Sequence, residues 1–253
     1  MEPWRTSIST YDRDRIILRG HRVEELMRLG NFGDVAFLLL RGRMPSRAES
    51  KLWNAILIAS SDHGPTPPST MAARVIASGN RRAVEAAVAG GLLAIGDAHG
   101  GAGEDAMRML QEGLELVSRE AIPVEEAGGR IVQRYRAEGK RIPGVGHRVH
   151  ERDPRTVALW AMAREEGIAE LPIALMQAIA DALSREVGRV LTVNVDGALA
   201  AVLVGLEFSP EVGKLVFILG RCAGIAAHVV EELTREAPMR IHVPFTYDGP
   251  EPE

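Results

Sequence analysis

Apolar residues recur at the three- and four-residue spacing of amphipathic helices through most of this chain. That period predicts an all-α, mainly helical protein. Asn31 precedes an apolar stripe that ends at Gly42, and Ser46 with Glu49 forms a capping box for a helix that runs towards Ser61. Further helices are predicted around residues 23–27, 70–78, 83–95, 104–120, 123–135, 156–166, 172–187, 197–206 and 210–235, the last of them with Ser209-Pro210 as its cap.

Two segments depart from the helical pattern. Residues 6–19 carry β-compatible side chains on both sides of residues 11–14, which predicts a small N-terminal β-hairpin. The tail from Pro238 to Glu253 contains four prolines and no clear period. We expect this tail to lie over a surface or to cross to a partner. Because the chain shows no repeats and no Pro/Ser linker, it is expected to form a single unit over residues 1–253.

Composition narrows the class of protein. A hydrophobic fraction of 46% and a charged fraction of 25% are ordinary for a globular protein, and a net charge of -4 argues against a nucleic-acid surface. The uncharged apolar runs at 86–96 and 197–206 are about half of the ~20 residues that span a bilayer, so no membrane segment is expected. The single cysteine, Cys222, is expected to be a buried small hydrophobe, and the lack of a disulfide framework and of a signal-peptide pattern indicates the cytoplasm.

The segment from Arg141 to Arg155 concentrates glycine, proline, histidine and arginine. Its proline and two glycines predict a tight turn, and Asp153-Pro154 is typical of an N-cap followed by the first residue of a helix. His147 therefore lies on the turn, and Arg155 in the first helical turn after it. An imidazole and a guanidinium that converge from such a loop indicate a site for an anionic ligand that carries a carbonyl group.

Three histidines, His63, His99 and His147, lie on glycine-flanked turns between predicted helices. A lone histidine is most often structural, but three in the same setting argue against coincidence. Metal binding is the competing hypothesis. It is not favoured, because none of the three has another His, Cys or carboxylate at i+3 or i+4 in a helical metal-ligand arrangement. His150 follows His147 by three residues, but on a predicted turn and not on a helix. The remaining histidines considered, at positions 21, 228 and 242, are interpreted as structural.

Two charged residues need an explanation. Arg221 interrupts an apolar stretch, so a carboxylate from the protein or from a ligand must meet it; a structural ion pair is the plainer alternative. Asp196 stands at the start of an uncharged helix. It is either an N-cap or a carboxyl group whose pKa is raised by apolar surroundings, which would suit a proton-transfer base.

These elements occur in an order that resembles the citrate synthase superfamily, and more closely its shorter branch, the citryl-CoA lyases. The resemblance covers nearly the whole chain. It rests on the segments Arg19–Met27, Phe32–Pro45, Asp62-His63, His99–Glu104, Pro143–His147 with Asp153–Arg155, and Asn194-Val195-Asp196.

The resemblance implies a helical fold with a large and a small lobe, the small lobe within about 104–206, and a homodimer or a dimer of dimers. It also implies roles for individual residues. His99 would hydrogen-bond the thioester oxygen, Asp196 would exchange the methyl proton of acetyl-CoA, and His147 would bind the keto or hydroxyl oxygen of the four-carbon partner. The carboxylates of that partner, oxaloacetate, would be held by His63, Arg155 and Arg221.

Further roles follow from the same resemblance. Arg240 is the candidate for the arginine that the family sends into the neighbouring subunit's site. Coenzyme A is expected along residues 140–146, with Lys140, Arg141, Val145 and Gly146 as contacts. Apart from the coenzyme A thioester, which is a substrate, no metal or other cofactor is required by this chemistry.

Two features favour the lyase branch. Only seventeen residues separate Pro45 from His63, where longer synthases carry an insertion of several helices. The segments at 62–65 and 91–97 look like the citryl-CoA lyase module of ATP citrate lyase, although that module departs from the synthases at the position where this chain keeps His99. The expected reaction is cleavage of citryl-CoA to acetyl-CoA and oxaloacetate. Citrate synthesis, a related 3-hydroxyacyl-CoA lyase reaction and a non-catalytic partner subunit stay open as alternatives.

Overall fold

The computed structural model describes residues 2–96, 99–146 and 153–250. Within these ranges the fold is mainly helical, as the hydrophobic period predicts, with eleven α-helices after a small N-terminal sheet. The helices are α1 (Val23–Leu29), α2 (Phe32–Arg41), α3 (Arg47–Ser61), α4 (Pro68–Gly79), α5 (Val84–Leu93), α6 (Ala102–Glu120), α7 (Val124–Ala137), α8 (Pro154–Glu165), α9 (Glu170–Val187), α10 (Val195–Gly205) and α11 (Glu211–Arg235).

The predicted hairpin is confirmed and carries a third strand. Strands β1 (Ser9–Tyr11), β2 (Ile16–Leu18) and β3 (His21–Arg22) form an antiparallel sheet in sequence order. Leu18 pairs with His21 across a two-residue turn. Arg19 and Gly20 occupy that turn with φ angles of +48° and +87°. Positive φ at both positions is the geometry that matches the twist of paired strands.

The local capping signals form as predicted for α2 and α3. Asn31 Oδ1 accepts a hydrogen bond of 2.9 Å from the Asp34 amide, and Gly42 ends α2 in the left-handed conformation. At α3, the Ser46 hydroxyl accepts from the Glu49 amide while the Glu49 carboxylate accepts from the Ser46 amide at 2.8 Å. Both exchanges satisfy amides that the first turn of a helix leaves without partners.

The predicted cap of α11 is wrong, and so is the N-cap alternative given for Asp196. Asn194, not Asp196, caps α10, because its Oδ1 accepts from the Gly197 amide at 3.2 Å. Asp196 therefore lies in the first turn of α10, where its carboxylate is not used as a cap. At α11 the N-cap position is Pro210 and no side chain caps the helix. The Ser209 carbonyl oxygen accepts from the Val212 amide at 3.0 Å, and the Ser209 side chain hydrogen-bonds the Glu211 carboxylate.

The core is built around α10, whose residues from Gly197 to Leu203 are all buried. A helix that is apolar on every face must be surrounded, and α6, α8 and α9 pack against it. On another side, the rings of Phe37, Trp53 and Phe208 meet with centroids 5.2 to 5.6 Å apart. Two of the predicted site residues, Arg155 and Asp196, lie in the first turns of α8 and α10.

The long helix α11 packs against α3, α4 and α5. By length and composition it could cross a membrane, but half of its most apolar 18-residue window is buried inside the protein, as in the core helices of many globular proteins. Cys222 on α11 is only partly buried, so the expectation of a fully buried cysteine is wrong. It is one residue away from buried Arg221, on a face of α11 that is less covered.

The tail has no helix or strand from residue 238 to residue 250, as predicted. It is anchored near its start, where the Met239 amide donates to the Ser78 carbonyl oxygen at 3.1 Å. The division of the chain into a large and a small lobe stays a prediction.

Candidate active site

Five of the residues singled out from the sequence line one cavity of about 190 Å³. They are His63, His99, Arg155, Asp196 and Arg221. Each comes from a different part of the chain: the loops after α3 and α5, the first turns of α8 and α10, and the middle of α11. The cavity therefore combines two guanidinium groups, two imidazoles and one carboxylate.

The side chain of Arg221 is 2% exposed and is only partly satisfied by the protein. Its Nε donates to the Ser60 carbonyl oxygen at 2.9 Å, and its guanidinium lies 4.8 Å from the centre of the Phe217 ring. Nη1 has no hydrogen-bond partner among the residues that the structure describes. Burial lowers the pKa of Arg221, while Asp62 and Asp196 act in the opposite direction. A carboxylate in the cavity would satisfy this buried donor.

Arg155 is held by Asp153 in a two-pronged contact. Its Nη2 lies 2.7 Å from Asp153 Oδ2, and its Nε donates to Asp153 Oδ1 at 3.0 Å. The same carboxylate caps α8 by accepting from the Arg155 amide, as the sequence predicts. The side chain of Asp153 is fully buried, so its two contacts fix the Arg155 guanidinium at the cavity wall.

Asp196 lies in the first turn of α10 and faces the cavity. Burial raises the pKa of its carboxyl group, and the positive charges of Arg155 and Arg221 only partly oppose that effect. A raised pKa makes the carboxylate a stronger base, which can accept a proton and return it. The environment therefore fits the predicted role in proton transfer.

His99 is bound to a residue that sequence reasoning missed. Its Nε2 lies 2.8 Å from the hydroxyl of Ser69, which is fully buried in the first turn of α4. Burial, followed by the charge of Arg221, lowers the pKa of His99. The imidazole is therefore neutral at neutral pH. In the neutral form one ring nitrogen donates and the other accepts, so the Ser69 contact selects the tautomer.

His63 lies on the loop between α3 and α4, and the residue before it is tied to α11. Asp62 accepts from the Gly64 amide at 3.0 Å and lies 3.1 Å from His228 Nε2. His228, interpreted as structural from the sequence, thus helps to hold this loop. The predicted catalytic residue His147 lies outside the described residues.

The predicted coenzyme A segment runs beside the start of α10. The Gly146 amide donates to the Thr192 carbonyl oxygen at 2.7 Å, and the Asn194 amide donates to the Gly144 carbonyl oxygen at 3.0 Å. The two backbones are so close that a Cβ atom on Gly197 would lie 2.4 Å from the Gly144 oxygen. Gly144 itself has a φ of +79°, in the left-handed region that favours glycine.

The side chains predicted to contact coenzyme A do not line the 190 Å³ cavity. Lys140 pairs with Glu138 at 2.7 Å, Arg141 is exposed, and Val145 and Gly146 are partly buried. Their role in binding coenzyme A stays a prediction.

Arg240 is not among the residues of the cavity wall in its own chain. Its guanidinium lies 2.6 Å from the buried carboxylate of Glu232 and 3.0 Å from that of Glu236. Glu232 also accepts from Arg74 Nε at 2.9 Å. The predicted function of Arg240 in a neighbouring subunit stays a prediction.

Within the described ranges, no group of three or more His, Cys, Asp or Glu side chains is arranged to hold a metal ion. The donors that line the cavity are mostly guanidinium and imidazole nitrogens. These donors match the oxygens of carboxylates and carbonyl groups.

Comparisons with known proteins identify chains with a similar fold. The citryl-CoA lyase of Hydrogenobacter thermophilus is 38% identical, with a TM-score of 0.89, over 100% of this chain and 97% of that one. The ATP citrate lyase of Methanothrix soehngenii, solved with citrate and coenzyme A, has the same fold at 24% identity and a TM-score of 0.77, covering 98% of this chain and 43% of that one.

Sequence relatives lead to the same group of enzymes. The putative citrate synthase 2 of Mycobacterium bovis is 33% identical over 71% of this chain and 46% of its own length. The chain spans between 19% and 36% of the length of the ATP-citrate synthases among its curated relatives. Residues 47–242 match the family described as citrate synthase, C-terminal domain. That match covers well over half of the sequence, and the chain therefore belongs to the citrate synthase family.

Proposed function

We propose that this chain is a citryl-CoA lyase, which cleaves citryl-CoA to acetyl-CoA and oxaloacetate. The observation that carries the proposal is the buried guanidinium of Arg221, with Nη1 unsatisfied among the described residues, in one cavity with His99 and Asp196. Such a cation fits a site that receives a carboxylate from its ligand. The full-length likeness to the citryl-CoA lyase of Hydrogenobacter thermophilus favours the lyase reaction.

The four-carbon half of the substrate requires several cationic groups. Arg155 and Arg221 offer paired donors that match carboxylate oxygens, and His63 adds a third group at the same wall. Arg155 is already fixed by Asp153, so little side-chain freedom is lost when a carboxylate binds. We infer that these three side chains hold the carboxylates of the oxaloacetate portion.

The proposed reaction is a retro-aldol cleavage. A base takes the proton of the tertiary hydroxyl group, the bond between that carbon and the methylene next to the thioester breaks, and a keto group forms. The electron pair passes to the thioester as an enolate. Asp196, in its protonated form, delivers a proton to the enolate carbon to give acetyl-CoA. His147 is the residue proposed to take the hydroxyl proton.

Neutral His99 is suited to hold the enolate oxygen. If the ring nitrogen that faces the thioester donates a proton, Nε2 accepts one from the Ser69 hydroxyl. The low pKa of His99 keeps the imidazole from being a full cation, so it acts as a hydrogen-bond donor aimed at developing charge. We therefore infer that Ser69 positions His99.

Citrate synthesis is the second candidate. The same residues can run the carbon–carbon step in reverse when Asp196 starts as the carboxylate and removes a methyl proton of acetyl-CoA. Two observations favour this alternative: the chain keeps His99, and it is 33% identical to the putative citrate synthase 2 of Mycobacterium bovis. A related 3-hydroxyacyl-CoA substrate would use the same groups.

One experiment separates these possibilities. The purified chain alone is incubated with citryl-CoA, and separately with acetyl-CoA and oxaloacetate, and the products are identified by mass spectrometry. We expect acetyl-CoA and oxaloacetate in the first reaction. Citrate and free coenzyme A in the second reaction, without cleavage in the first, would favour the synthase. No product in either reaction would favour a non-catalytic partner subunit.

We also propose that the chain acts as a homo-oligomer, a dimer or a dimer of dimers. Three large apolar side chains of the tail, Val243, Phe245 and Tyr247, are 64 to 90% exposed in the single chain. A partner subunit would cover them and bring Arg240 near the neighbouring cavity. Light scattering of the full chain tests the assembly, and a monomer at micromolar concentration would contradict it.

A further inference from the structure

Three polar side chains behind the wall of the candidate active site form a chain of contacts that ends at the substrate loop. Arg74 on α4 contacts His228 on α11, and His228 contacts Asp62, the residue before His63. Arg74 Nη1 lies 3.2 Å from His228 Nδ1, and His228 Nε2 lies 3.1 Å from Asp62 Oδ1. We refer to Arg74, His228 and Asp62 together as the His228 bridge.

Arg74 is fixed at the buried end of the bridge. Its Nε donates to the fully buried carboxylate of Glu232 at 2.9 Å, and its Nη1 donates to the Glu231 carboxylate at 2.8 Å. Nη1 carries two protons, so it can serve the Glu231 carboxylate and His228 Nδ1 at the same time. The Arg74 side chain is 11% exposed, and the donor that faces His228 is therefore held in one place.

Asp62 joins the bridge to the backbone of the substrate loop. Its carboxylate accepts from the Gly64 amide at 3.0 Å and from the His63 amide. Burial raises the pKa of Asp62, but these amides and the contact with His228 outweigh burial and hold the pKa below its usual range. Asp62 is therefore ionised near neutral pH and acts only as an acceptor. Because this carboxylate binds the His63 backbone, the orientation of Asp62 helps to determine the position of His63.

The two neighbours of His228 determine which of its ring nitrogens carries the proton. A guanidinium group has donors and no acceptor, so His228 Nδ1 must accept from Arg74. The Asp62 carboxylate has acceptors and no donor, so His228 Nε2 carries the proton and donates it to Asp62. Glu231 Oε2 lies 3.8 Å from Nδ1, which is too far for a competing hydrogen bond. The bridge therefore selects one tautomer of His228.

A close backbone contact fixes the gap that His228 spans. Gly224, one turn before His228 on α11, lies against the C-terminal end of α3. A Cβ atom on Gly224 would collide with the Ser61 carbonyl oxygen. Any larger residue would therefore move α11 away from Asp62, and glycine keeps the imidazole within hydrogen-bond distance of the loop.

We propose that Arg74 and His228 are positioning residues for His63, because they orient the Asp62 carboxylate and with it the backbone of the substrate loop. Neither side chain lines the active-site cavity, so both act through Asp62. This role rests on the proposed function, in which His63 holds a carboxylate of oxaloacetate. The side chain of Asp62 is 41% exposed, so without His228 it can turn towards solvent and leave His63 without a fixed orientation.

Replacement of His228 in the full-length chain tests the proposal. His228→Phe keeps a ring but removes both nitrogens, while Arg74 keeps two carboxylate partners. We expect oxaloacetate to bind about tenfold more weakly, which is the equivalent of one hydrogen bond, with little change in coenzyme A affinity or in urea unfolding. His228→Gln offers an amide oxygen to Arg74 and an amide nitrogen to Asp62, so it should restore most of the affinity. Thr234→Val, on the same face of α11, is the matched control and should bind oxaloacetate as the wild type does.

Nitrogen NMR of the histidine rings separates failure of the bridge from failure of the proposed function. His228 should carry its proton on Nε2 in the wild type, and the His63 signals should shift in His228→Phe and return in His228→Gln. If the wild type binds no oxaloacetate, the proposed function fails, and these signals alone decide the positioning role. A proton on His228 Nδ1, or His63 signals that are the same in the wild type and in His228→Phe, would overturn the proposal. Equal losses of oxaloacetate and coenzyme A binding with lowered stability would also overturn it, because that pattern indicates a general structural role.

Discussion

Replacement of Arg221 by methionine separates ligand binding from stability at the candidate active site. Methionine keeps much of the length and volume of the side chain but removes the guanidinium. If Arg221 holds a carboxylate of oxaloacetate, one charge-assisted hydrogen-bonded contact worth about 1.5–3 kcal/mol disappears. That loss corresponds to an increase of about 10- to 150-fold in the dissociation constant of oxaloacetate.

The effect on folding is expected to be small, because the variant removes opposing contributions. The Ser60 carbonyl oxygen loses its partner at 2.9 Å, which costs about 1–3 kcal/mol, and the contact with the Phe217 ring at 4.8 Å contributes about 0.5–2 kcal/mol. The wild type, however, keeps a cation buried without an ion pair among the described residues. Relief of that desolvation, which amounts to several kcal/mol, offsets the losses.

Two measurements on the same protein test this reasoning. Calorimetry gives the affinities for oxaloacetate and for coenzyme A, and urea unfolding gives the free energy of unfolding. We expect weaker oxaloacetate binding, unchanged coenzyme A binding and an unfolding free energy within about 2 kcal/mol of the wild type. Arg235→Met, at an exposed ion pair on the same helix, is the control and should change neither quantity. A loss of about 3–5 kcal/mol of stability, with both affinities reduced equally, would mean that Arg221 is structural.

Three further predictions concern other residues. Asp196→Asn should lower the cleavage rate by about 10²- to 10⁴-fold while coenzyme A binding stays intact. Because burial raises the pKa of Asp196, the wild type should lose stability as pH rises from the unfolded-state pKa near ~3.9 through the higher folded-state pKa. The variant should lack that decrease when urea unfolding is measured from pH 4 to 8. Ser69→Ala should lower kcat by up to about tenfold with little change in KM, and NMR of the imidazole nitrogens should show a changed tautomer; an unaltered kcat would remove Ser69 from the proposed site. Glu232→Ala should reduce the free energy of unfolding by about 1–3 kcal/mol, since Arg74 and Arg240 both lose a contact with this buried carboxylate while Arg74 keeps Glu231 at 2.8 Å. Arg240→Ala at the same cluster should cost less because Arg240 is partly exposed, and equal losses in thermal unfolding would contradict this reasoning.

Features that depend on neighbours in sequence could be predicted from the sequence. The capping box at Ser46, the left-handed Gly42 and the cap at Asp153 follow from side chains and amides only a few residues apart. At α10 the sequence offered Asp196 as a possible cap, but Asn194, two residues earlier, is the cap because its side chain reaches the Gly197 amide. The hydrophobic period likewise predicts the helices, because burial on one face imposes that period.

Features that depend on distant pairs could not be predicted in this way. Ser69 and His99 are 30 positions apart, and nothing in the local pattern around Ser69 indicates its partner. The ion pair of Glu232 with Arg74, 158 positions away, has the same character. The grouping of Arg155, Asp196 and the other predicted site residues was expected only from the family resemblance, since spacing along the chain does not determine which turns meet.

The close contact between Gly144 and Gly197 has a consequence for motion. Two backbone hydrogen bonds join the turn at 143–146 to the segment at the start of α10. The two backbones are so close that not even one Cβ atom fits between them. The two segments therefore shift together as one rigid unit, and Asp196 travels with them. Any opening that admits a thioester must change the distance between this unit and the two segments that carry His99 and Arg221, which are the loop after α5 and the middle of α11. Access to the cavity therefore depends on movement of these segments as whole units, because the turn at 143–146 cannot lengthen.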